Sequence, residues 1–448
     1  MKSTILLFPL VFLLTSVLSL ALCFSDHPVL LISVDGLGWQ KTGDLTPNLN
    51  AFGKTGAKAK YQLAGTPTRT WPTHITWLTG LYPESHGLIS DHFWDPVYQE
   101  NFTLQYDCSN YDTKFYNATE PLWLTVQKRG GKSGVYFWPA SHAYHEKPTY
   151  TEPPFCLVDC SKIKPKDLPK YREKTRKEYP PYIHCFNNRS IAFKDRVDTV
   201  LSWLTSEDTP KFTAFYINEP DGTGHRLGLD SGDYDRQLVR VDKDVIGRFI
   251  SGLKKAQLYD QVNTIIVSPH GLVRTSSSRV IYLSDYINTA SIMLSEEGVV
   301  GHIWPHHGYE DDVYANLTSA NHPNMRVYRR NEIPEDLHWR NNRRIPAIYL
   351  DTDLGWSVQL NRPNHITPWA LANHGWRPSA EYGGVFYAHG PAFKQGYEST
   401  QVVKAVDVYS LLCQLLGTEP LPNNGTLKNM IEYLVEGTEW TQEIQTEL

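Results

Sequence analysis

A short apolar run that ends in an acidic residue and a glycine decides how this chain folds. Residues 29–36 read VLLISVDG, so Asp35 and Gly36 follow six residues with the character of a buried strand. Four more β-branched or aromatic runs predict buried strands, at 135–138, 212–217, 264–267 and 385–388. Each run is too short to be a helix of typical length, and amphipathic patterns separate the runs.

The clearest helical pattern between the runs puts five apolar side chains on one face: Leu238, Val241, Val245, Phe249 and Leu253. Strands that alternate with helices predict an α/β fold with a mostly parallel central sheet and helices on both faces. In such a sheet the loops beyond the carboxyl ends of the strands carry the chemistry. The residues that follow each predicted strand are therefore the candidates for function.

Length and charge exclude several classes of protein. The chain has 448 residues with 30 Gly and 29 Pro, a globular composition that excludes collagen-like, disordered and coiled-coil proteins. Its 43 Lys and Arg against 48 Asp and Glu give a net charge of −5, without a long basic run, so we expect no nucleic-acid partner. An anionic small substrate would need local positive charge, which a metal ion supplies.

The two ends of the chain predict export. Lys2 precedes an apolar run that closes in small residues, which predicts a signal peptide over 1–23. An uncleaved anchor is the alternative, because the run approaches the length of a membrane span. Residues 431–448 form a predicted polar tail without the apolar stretch that a glycolipid anchor needs. We therefore expect a secreted, extracellular protein with no stable membrane anchor.

Sequons and cysteines agree with an extracellular location. The five N-x-S/T sequons, which predict glycosylation, are at Asn101, Asn117, Asn188, Asn316 and Asn424. Residues 140–190, rich in Pro, Tyr, Cys and Lys, are predicted to form an irregular, disulfide-tied insertion. Two disulfides of open pairing can form among Cys108, Cys156, Cys160 and Cys185. Cys413 lies in an apolar helical pattern and is predicted to be a buried thiol.

Acidic residues and histidines recur where the predicted strands end, each close to a glycine. They are Asp35, Asp221, His225, His270 and His374. Oxygen and imidazole ligands in this combination suit zinc best. One such residue alone is better explained by a turn or a helix cap, whereas four such loops in one chain favour a metal site. A threonine-rich segment, 66–76, offers hydroxyl nucleophiles that would need a base or a metal for activation.

Long motifs also occur in a fixed order along the chain. They include TPNLNAFGKTGAKAKY, TGLYPESHG, FWPAS, EPDGTGHRLG, RNEIPEDLHWRNNRRIP and GPAFKQG. From about residue 28 to 430 the chain resembles the nucleotide pyrophosphatase/phosphodiesterase family of the alkaline-phosphatase superfamily. The resemblance is to short members with a catalytic domain only, here 24–430, and it implies an alkaline-phosphatase-like fold. In that family two zinc ions activate a threonine, and the phospho-threonine intermediate is then hydrolysed.

The resemblance implies roles for individual residues. The nucleophile position falls on Thr70, and the first zinc has the three intact ligands Asp221, His225 and His374. The second zinc has Asp35, Thr70 and His270. The substrate-binding positions are Trp71, Asp91 and Trp138.

Two positions depart from the family's pattern. The family's Ser-Asp-His-Gly is Ser268-Pro269-His270-Gly271 here, which removes a carboxylate ligand of the second zinc. The family's phosphate-binding asparagine is Asp91, and an ionised carboxylate donates no hydrogen bond to phosphate. Losing one such donor typically costs about 10²–10³-fold in rate. The second zinc site is therefore doubtful, and both changes weaken the half of the site that binds phosphate.

The sequence leaves two main functions open. The first is a catalytically impaired or inactive member of the family, a pseudoenzyme that keeps one zinc and binds a nucleotide, a lipid or a protein partner. The second is an active zinc-dependent phosphodiesterase or pyrophosphatase in which Asp91 replaces the missing ligand, acting through phospho-Thr70 on nucleotides or choline phospholipids. A glycoprotein whose histidines only cap turns is a third interpretation, which the ordered motifs disfavour.

Overall fold

The computed structural model describes residues 27–104, 112–116, 118–152, 191–362 and 370–436. The predicted signal peptide, most of the predicted insertion, the four cysteines predicted to form disulfides and two sequon asparagines, Asn117 and Asn188, lie outside these residues. Among the helices of the described ranges, none is both long and apolar enough to cross a bilayer.

Short strands and helices alternate along the chain. The strands are β1 (Val29–Val34), β2 (Ala57–Lys58), β3 (Tyr61–Leu63), β4 (His92–Asp95), β5 (Glu100–Thr103), β6 (Ser133–Tyr136), β7 (Tyr150–Glu152), β8 (Phe212–Ile217), β9 (Asn263–Val267), β10 (Val273–Arg274), β11 (Val280–Tyr282), β12 (Ile292–Glu296), β13 (Val300–Pro305), β14 (Met325–Arg329), β15 (Ile348–Thr352), β16 (Ser357–Gln359), β17 (Ala372–Asn373), β18 (Phe386–His389), β19 (Tyr397–Glu398) and β20 (Val402–Lys404). The α-helices are α1 (Pro47–Thr55), α2 (Thr70–Thr79), α3 (Pro83–His86), α4 (Leu122–Lys128), α5 (Phe193–Leu204), α6 (Asp221–Leu227), α7 (Gly232–Val241), α8 (Arg248–Lys255), α9 (Glu310–Ser319) and α10 (Ala405–Leu415).

The largest sheet confirms the predicted α/β architecture. Its eight strands have the order β19-β2-β18-β9-β1-β8-β6-β7. β1 is parallel to both of its neighbours, β8 and β9, and β6 is parallel to β8 and β7. β18 runs antiparallel to its neighbours β9 and β2. All six side chains of β1 are buried, so this strand lies at the centre of the core.

The predicted amphipathic face is also buried against the core. The face begins in α7, continues through a π-helical segment at 242–247 and ends in α8. The carboxylate of Asp242 in this segment accepts hydrogen bonds from the backbone nitrogens of Asn48 and Leu49, at 3.0 and 2.9 Å. These bonds satisfy free N–H groups at the start of α1. The π-helical segment therefore anchors α1 in addition to joining α7 and α8.

Two further predictions are tested by burial. Cys413 is a buried free thiol in α10, as the apolar pattern predicts. Tyr433 and Leu434, which the sequence assigns to a polar tail, pack into the main core, so the folded domain extends beyond residue 430.

A smaller antiparallel sheet, β12-β13-β15-β14, packs with α9 around a separate apolar cluster. β12 ends in Glu296, and the carboxylate of this residue reaches Arg69 of the main domain at 3.5 Å. The smaller sheet thus contributes a charge beside the threonine-rich segment.

A buried ion pair ties β4 to the segment before β15. Asp95 has no exposed surface and accepts hydrogen bonds from Arg343 and Arg344. The Arg344 guanidinium also donates to the carbonyl oxygens of Gly87 and Phe115, at 2.7 and 3.0 Å. Burial alone would raise the pKa of Asp95, but the two arginines lower it to about 2.

We expect Asp95→Ala to lower the free energy of unfolding by about 3–5 kcal/mol, because the buried Arg344 would lose its charge partner. Urea denaturation at pH 7 measures the loss. Because the pKa of Asp95 is depressed, the stabilisation should be complete above about pH 4 and decline as pH falls towards 2.

The matched control is Asp230→Ala, which removes an exposed partner of Arg274. Exposed pairs contribute about 0–1 kcal/mol, so this variant should unfold almost as the parent does. Equal losses in the two variants would contradict the role given to the buried pair.

Candidate metal centre

Three strand ends bring the predicted ligands together. Asp35 directly follows β1, Asp221 follows β8 at the start of α6, and His270 lies three residues beyond β9. Because β1 lies between β8 and β9 and all three are parallel, their carboxyl ends share one edge of the sheet. Gly36, at φ +72°, permits the close approach, since a Cβ there would lie 2.6 Å from Cα of Asp221.

The first group of candidate ligands is Asp221, His225 and His374, whose donor atoms lie within 4.8 Å of one another. Nε2 of His225 is 3.2 Å from Oδ2 of Asp221, and Nε2 of His374 is 3.8 Å from Oδ1. Asp221 Oδ1 is buried and has no hydrogen-bond partner among the described residues. A buried carboxylate oxygen without a donor is well explained as a metal ligand.

Backbone carbonyls orient all three histidines of the site. The Nδ1 atoms of His225, His374 and His270 are bonded to the carbonyl oxygens of Ala372, Thr68 and Gly271, at 2.8, 3.0 and 3.1 Å. A carbonyl only accepts, so each Nδ1 donates its hydrogen and each Nε2 keeps its lone pair for a metal. The fold therefore presents Nε2 of every histidine to the site.

The second group is Asp35, Asp221 and His270, so it shares Asp221 with the first. The hydroxyl of Thr70, the first residue of α2, lies 3.0 Å from Nε2 of His270 and 3.4 Å from both carboxylate oxygens of Asp35. Tyr216 donates its hydroxyl to Asp35 Oδ2 at 2.6 Å. The predicted nucleophile and second-metal ligands are therefore in contact with one another.

The protonation balance of these groups favours a bound cation. Burial, reinforced by Asp221, raises the pKa of Asp35 well above its ordinary value. Burial would also raise the pKa of Asp221, but the neighbouring His225 holds it below the ordinary value. Burial lowers the pKa of His270 to about 4. Although burial opposes the shift, Asp221 raises the pKa of His225. A divalent cation in place of the shared proton would compensate the two crowded carboxylates and leave the imidazoles neutral as ligands.

Pro269 occupies the position at which the family's pattern has a carboxylate. It is buried, and its ring offers no ligand atom. The loop around it is held in place: Ser268 donates its hydroxyl to the carbonyl of His270 at 2.7 Å, and Gln62 donates to the carbonyl of Ser268 at 3.0 Å. The second group thus depends on sharing Asp221 to reach three carboxylate and imidazole ligands.

Asp91 belongs to neither group of candidate ligands. Its carboxylate lies 3.4 Å from Nη1 of Arg69, whose Nη2 is 3.5 Å from Glu296. Glu296 is in turn bonded to His302 at 2.5 Å. Burial raises the pKa of Asp91 to about 6, although Arg69 opposes the shift. The arginine therefore holds Asp91 in an ion pair next to the threonine-rich segment.

The two tryptophans predicted to bind substrate are both buried. Trp138 has no exposed surface; its Nε1 donates to the carbonyl of His74 at 3.2 Å, and its ring packs 4.7 Å from the ring of that histidine. It supports α2 and has no surface left for a ligand, which corrects the prediction. Trp71 is 4% exposed, and its ring lies 5.8 Å from that of His142.

Sequence reasoning missed three residues of the site. Tyr216 was hidden because it lies inside an apolar strand, where it resembles a core residue. Arg69 directly precedes Thr70, and a basic residue beside a predicted nucleophile was a usable signal. Glu296 comes from the smaller sheet, and no local pattern could have connected it to the site.

Comparison with known proteins assigns the family. The family model for type I phosphodiesterase / nucleotide pyrophosphatase matches residues 29–377. The chain belongs to this family. Human ectonucleotide pyrophosphatase/phosphodiesterase family member 5 is 33% identical to it over 95% of the chain and 83% of the relative. The bis(5'-adenosyl)-triphosphatase of Xenopus laevis is also 33% identical, over 94% of the chain and 86% of the relative.

A solved structure shares the fold. Murine ectonucleotide pyrophosphatase/phosphodiesterase 5, an inactive threonine-to-alanine variant in complex with AMP, superposes with a TM-score of 0.79 at 32% identity. The match covers 92% of this chain and 100% of the murine one. The family is metal-dependent, and the two ligand groups described above are the candidate metal sites of this member.

We expect Asp221→Ala to weaken zinc binding at both groups, because the residue belongs to both. The zinc affinity should fall at least about 100-fold, since mutating even a residue that only hydrogen-bonds to a metal ligand typically lowers metal affinity by about 10–100-fold. His270→Gln should leave the stronger of the two zinc affinities unchanged. Isothermal titration with zinc measures both variants.

Asp233→Ala, on the exposed surface of α7, is the control and should bind zinc as the parent does. Zinc binding by Asp221→Ala that equals the parent's would contradict the assignment of the centre.

Proposed function

We propose that this protein is a zinc-binding member of its family that binds a nucleotide-type phosphate ligand and hydrolyses phosphodiesters weakly or not at all. The observation that carries the proposal is the second ligand group, in which the buried Pro269 supplies no donor and Asp221 is shared with the first group. A zinc site normally has four ligands, of which catalytic sites take three from the protein. The first group meets this requirement by itself.

Zinc at these groups would supply Lewis-acid stabilisation of charge on phosphate and threonine oxygens. The chain's own part is to position Thr70, whose hydroxyl must lose its proton before it can attack phosphorus. The groups in contact with that hydroxyl are His270 and Asp35, and burial raises the pKa of Asp35. A weakly held second cation would leave the hydroxyl protonated and the attack slow.

Asp91 adds a second obstacle to catalysis. Its carboxylate repels an anionic phosphate group. By pairing with Arg69, it also neutralises part of the positive charge next to Thr70. An asparagine at the same place would donate a hydrogen bond to the ligand. Asp91 belongs to neither ligand group, which argues against it as a replacement ligand. Its Oδ2 pairs with Arg69, while its Oδ1 is buried without a hydrogen-bond partner among the described residues.

An active phosphodiesterase is the second candidate, favoured by the intact position of Thr70. Its hydroxyl lies 3.0 Å from His270, and the second group still has three ligand atoms within 4.8 Å of one another. The substrates would be nucleotides or choline phospholipids. AMP in the murine neighbour and the triphosphatase name of the Xenopus relative support nucleotides.

Secretion with N-glycans forms part of the proposal, as does a protein partner for an inactive form. The sequon residues Asn101, Asn316 and Asn424 are exposed in the structure. The human relative carries the prefix ecto- in its name, in agreement with an extracellular location. Finding the chain in culture medium without residues 1–23 would test the location, and retention in cells would contradict it.

We expect the parent to hydrolyse a nitrophenyl ester of thymidine monophosphate, with zinc present, at most about tenfold faster than Thr70→Ala does. The combined change Pro269→Asp and Asp91→Asn should raise turnover by about 10²-fold or more, because it restores a ligand and a donor to phosphate. Release of nitrophenolate measures all three proteins.

The matched controls are Pro422→Asp and Asp233→Asn, which make the same changes on the exposed surface. They should leave turnover at the parent's level. Parent activity well above that of Thr70→Ala would overturn the impaired-enzyme proposal and favour the active phosphodiesterase.

A further inference from the structure

A cavity of about 490 Å³ lies beside the loops that follow β1 and β9. Its lining includes three cationic side chains, those of Lys41, Arg274 and Arg279. None of its lining residues belongs to the two groups of candidate metal ligands. Its volume is within the range of about 300–1,000 Å³ that small-molecule sites have.

Two of the three cations form no ion pair within the described ranges, although the charge of Lys41 acts on Asp230. Arg274 pairs with Asp230, whereas the ammonium of Lys41 lies 5.6 Å above the ring of Tyr234 and has no ion pair among the described residues. Arg279 donates one hydrogen bond, to the carbonyl of Arg274 at 3.4 Å, and likewise has no ion pair within the described ranges. Both side chains are half-buried, so their charge is only partly screened by water.

The rest of the lining is largely apolar. Leu229, Leu272 and Leu354 form walls beside the ring of Tyr234, and Glu381 is the only acidic residue of the lining. Asp230 and Glu381 offset part of the charge of the three cations, and the net positive charge that is left would attract an anion. The leucine walls would take up an aliphatic group. Inorganic phosphate would leave those walls in contact with water.

The cavity wall is continuous with the loops of the metal centre. Tyr234 donates its hydroxyl to the carbonyl of Gly36, beside Asp35, at 3.2 Å. Leu272 packs so closely on Gly224, next to His225, that a Cβ there would lie 2.3 Å from its Cδ1. A ligand in the cavity would therefore contact the residues that support the ligand loops, without contacting the candidate ligands themselves.

We propose that this cavity is a second binding site, for a small amphipathic anion that consists of an aliphatic chain with a phosphate or carboxylate head group. Lys41 and Arg279 bind the head group, and the leucine walls bind the chain. Binding of the anion in this cavity does not require hydrolysis at the metal centre.

Isothermal titration of the zinc-loaded full chain with octyl phosphate and with octanoate tests the proposal. Lys41→Gln combined with Arg279→Gln should weaken binding of the better probe about tenfold or more, since each removed charge loses a charge-assisted hydrogen bond. The conservative pair Lys41→Arg and Arg279→Lys should keep the affinity within a few-fold. The better of the two probes identifies the head group.

The control combines Lys60→Gln with Arg236→Gln. Lys60 lies 5.9 Å above the ring of Tyr61, much as Lys41 lies above Tyr234, and Arg236 is exposed. This variant should bind the probe as the parent does. Two results would overturn the proposal: unchanged affinity in the Lys41 and Arg279 double variant, as binding at the metal centre would give, or ethyl phosphate binding as tightly as octyl phosphate.

Discussion

The parallel pairing of β1 with β8 on one side and β9 on the other is the constraint on which the site depends. This pairing brings Asp35, Asp221 and His270 to one edge of the sheet, where Gly36 allows the first two to approach. The crowding has a cost, because two buried carboxylates repel each other and only a cation compensates them fully. It also makes Asp221 common to both ligand groups, so metal binding at one candidate site would affect the other.

The departures at positions 269 and 91 leave the total charge of the site unchanged, but they move one negative charge to a different place. Relative to the pattern that the family resemblance implies, we expect one negative charge to be lost beside His270 and one to be gained at Asp91. The lost charge would have contacted a metal, whereas the gained one is paired with Arg69, which Glu296 also contacts. Coulomb energy depends on distance, so equal total charge does not restore the second site.

Sequence patterns found the elements whose burial is uniform. The runs 29–34 and 212–217 match β1 and β8 residue for residue, because strands buried on both faces are continuous apolar segments. The candidate ligands were found because they lie just after predicted strands, where functional residues of such a sheet are expected. Tyr216 and Glu296 were missed, since their roles arise from tertiary contacts that leave no local periodicity. The substrate-binding prediction for Trp138 was wrong because the ring is fully buried and packs on His74 and Trp77.

We propose that the first ligand group holds a metal ion fully and that the second holds one weakly or not at all. Anomalous diffraction at the zinc edge, from crystals grown with two equivalents of zinc per chain, tests it directly. The account predicts a full-occupancy peak among Asp221, His225 and His374, and a weak peak or none among Asp35, Thr70 and His270. Two peaks of equal, full occupancy would contradict it.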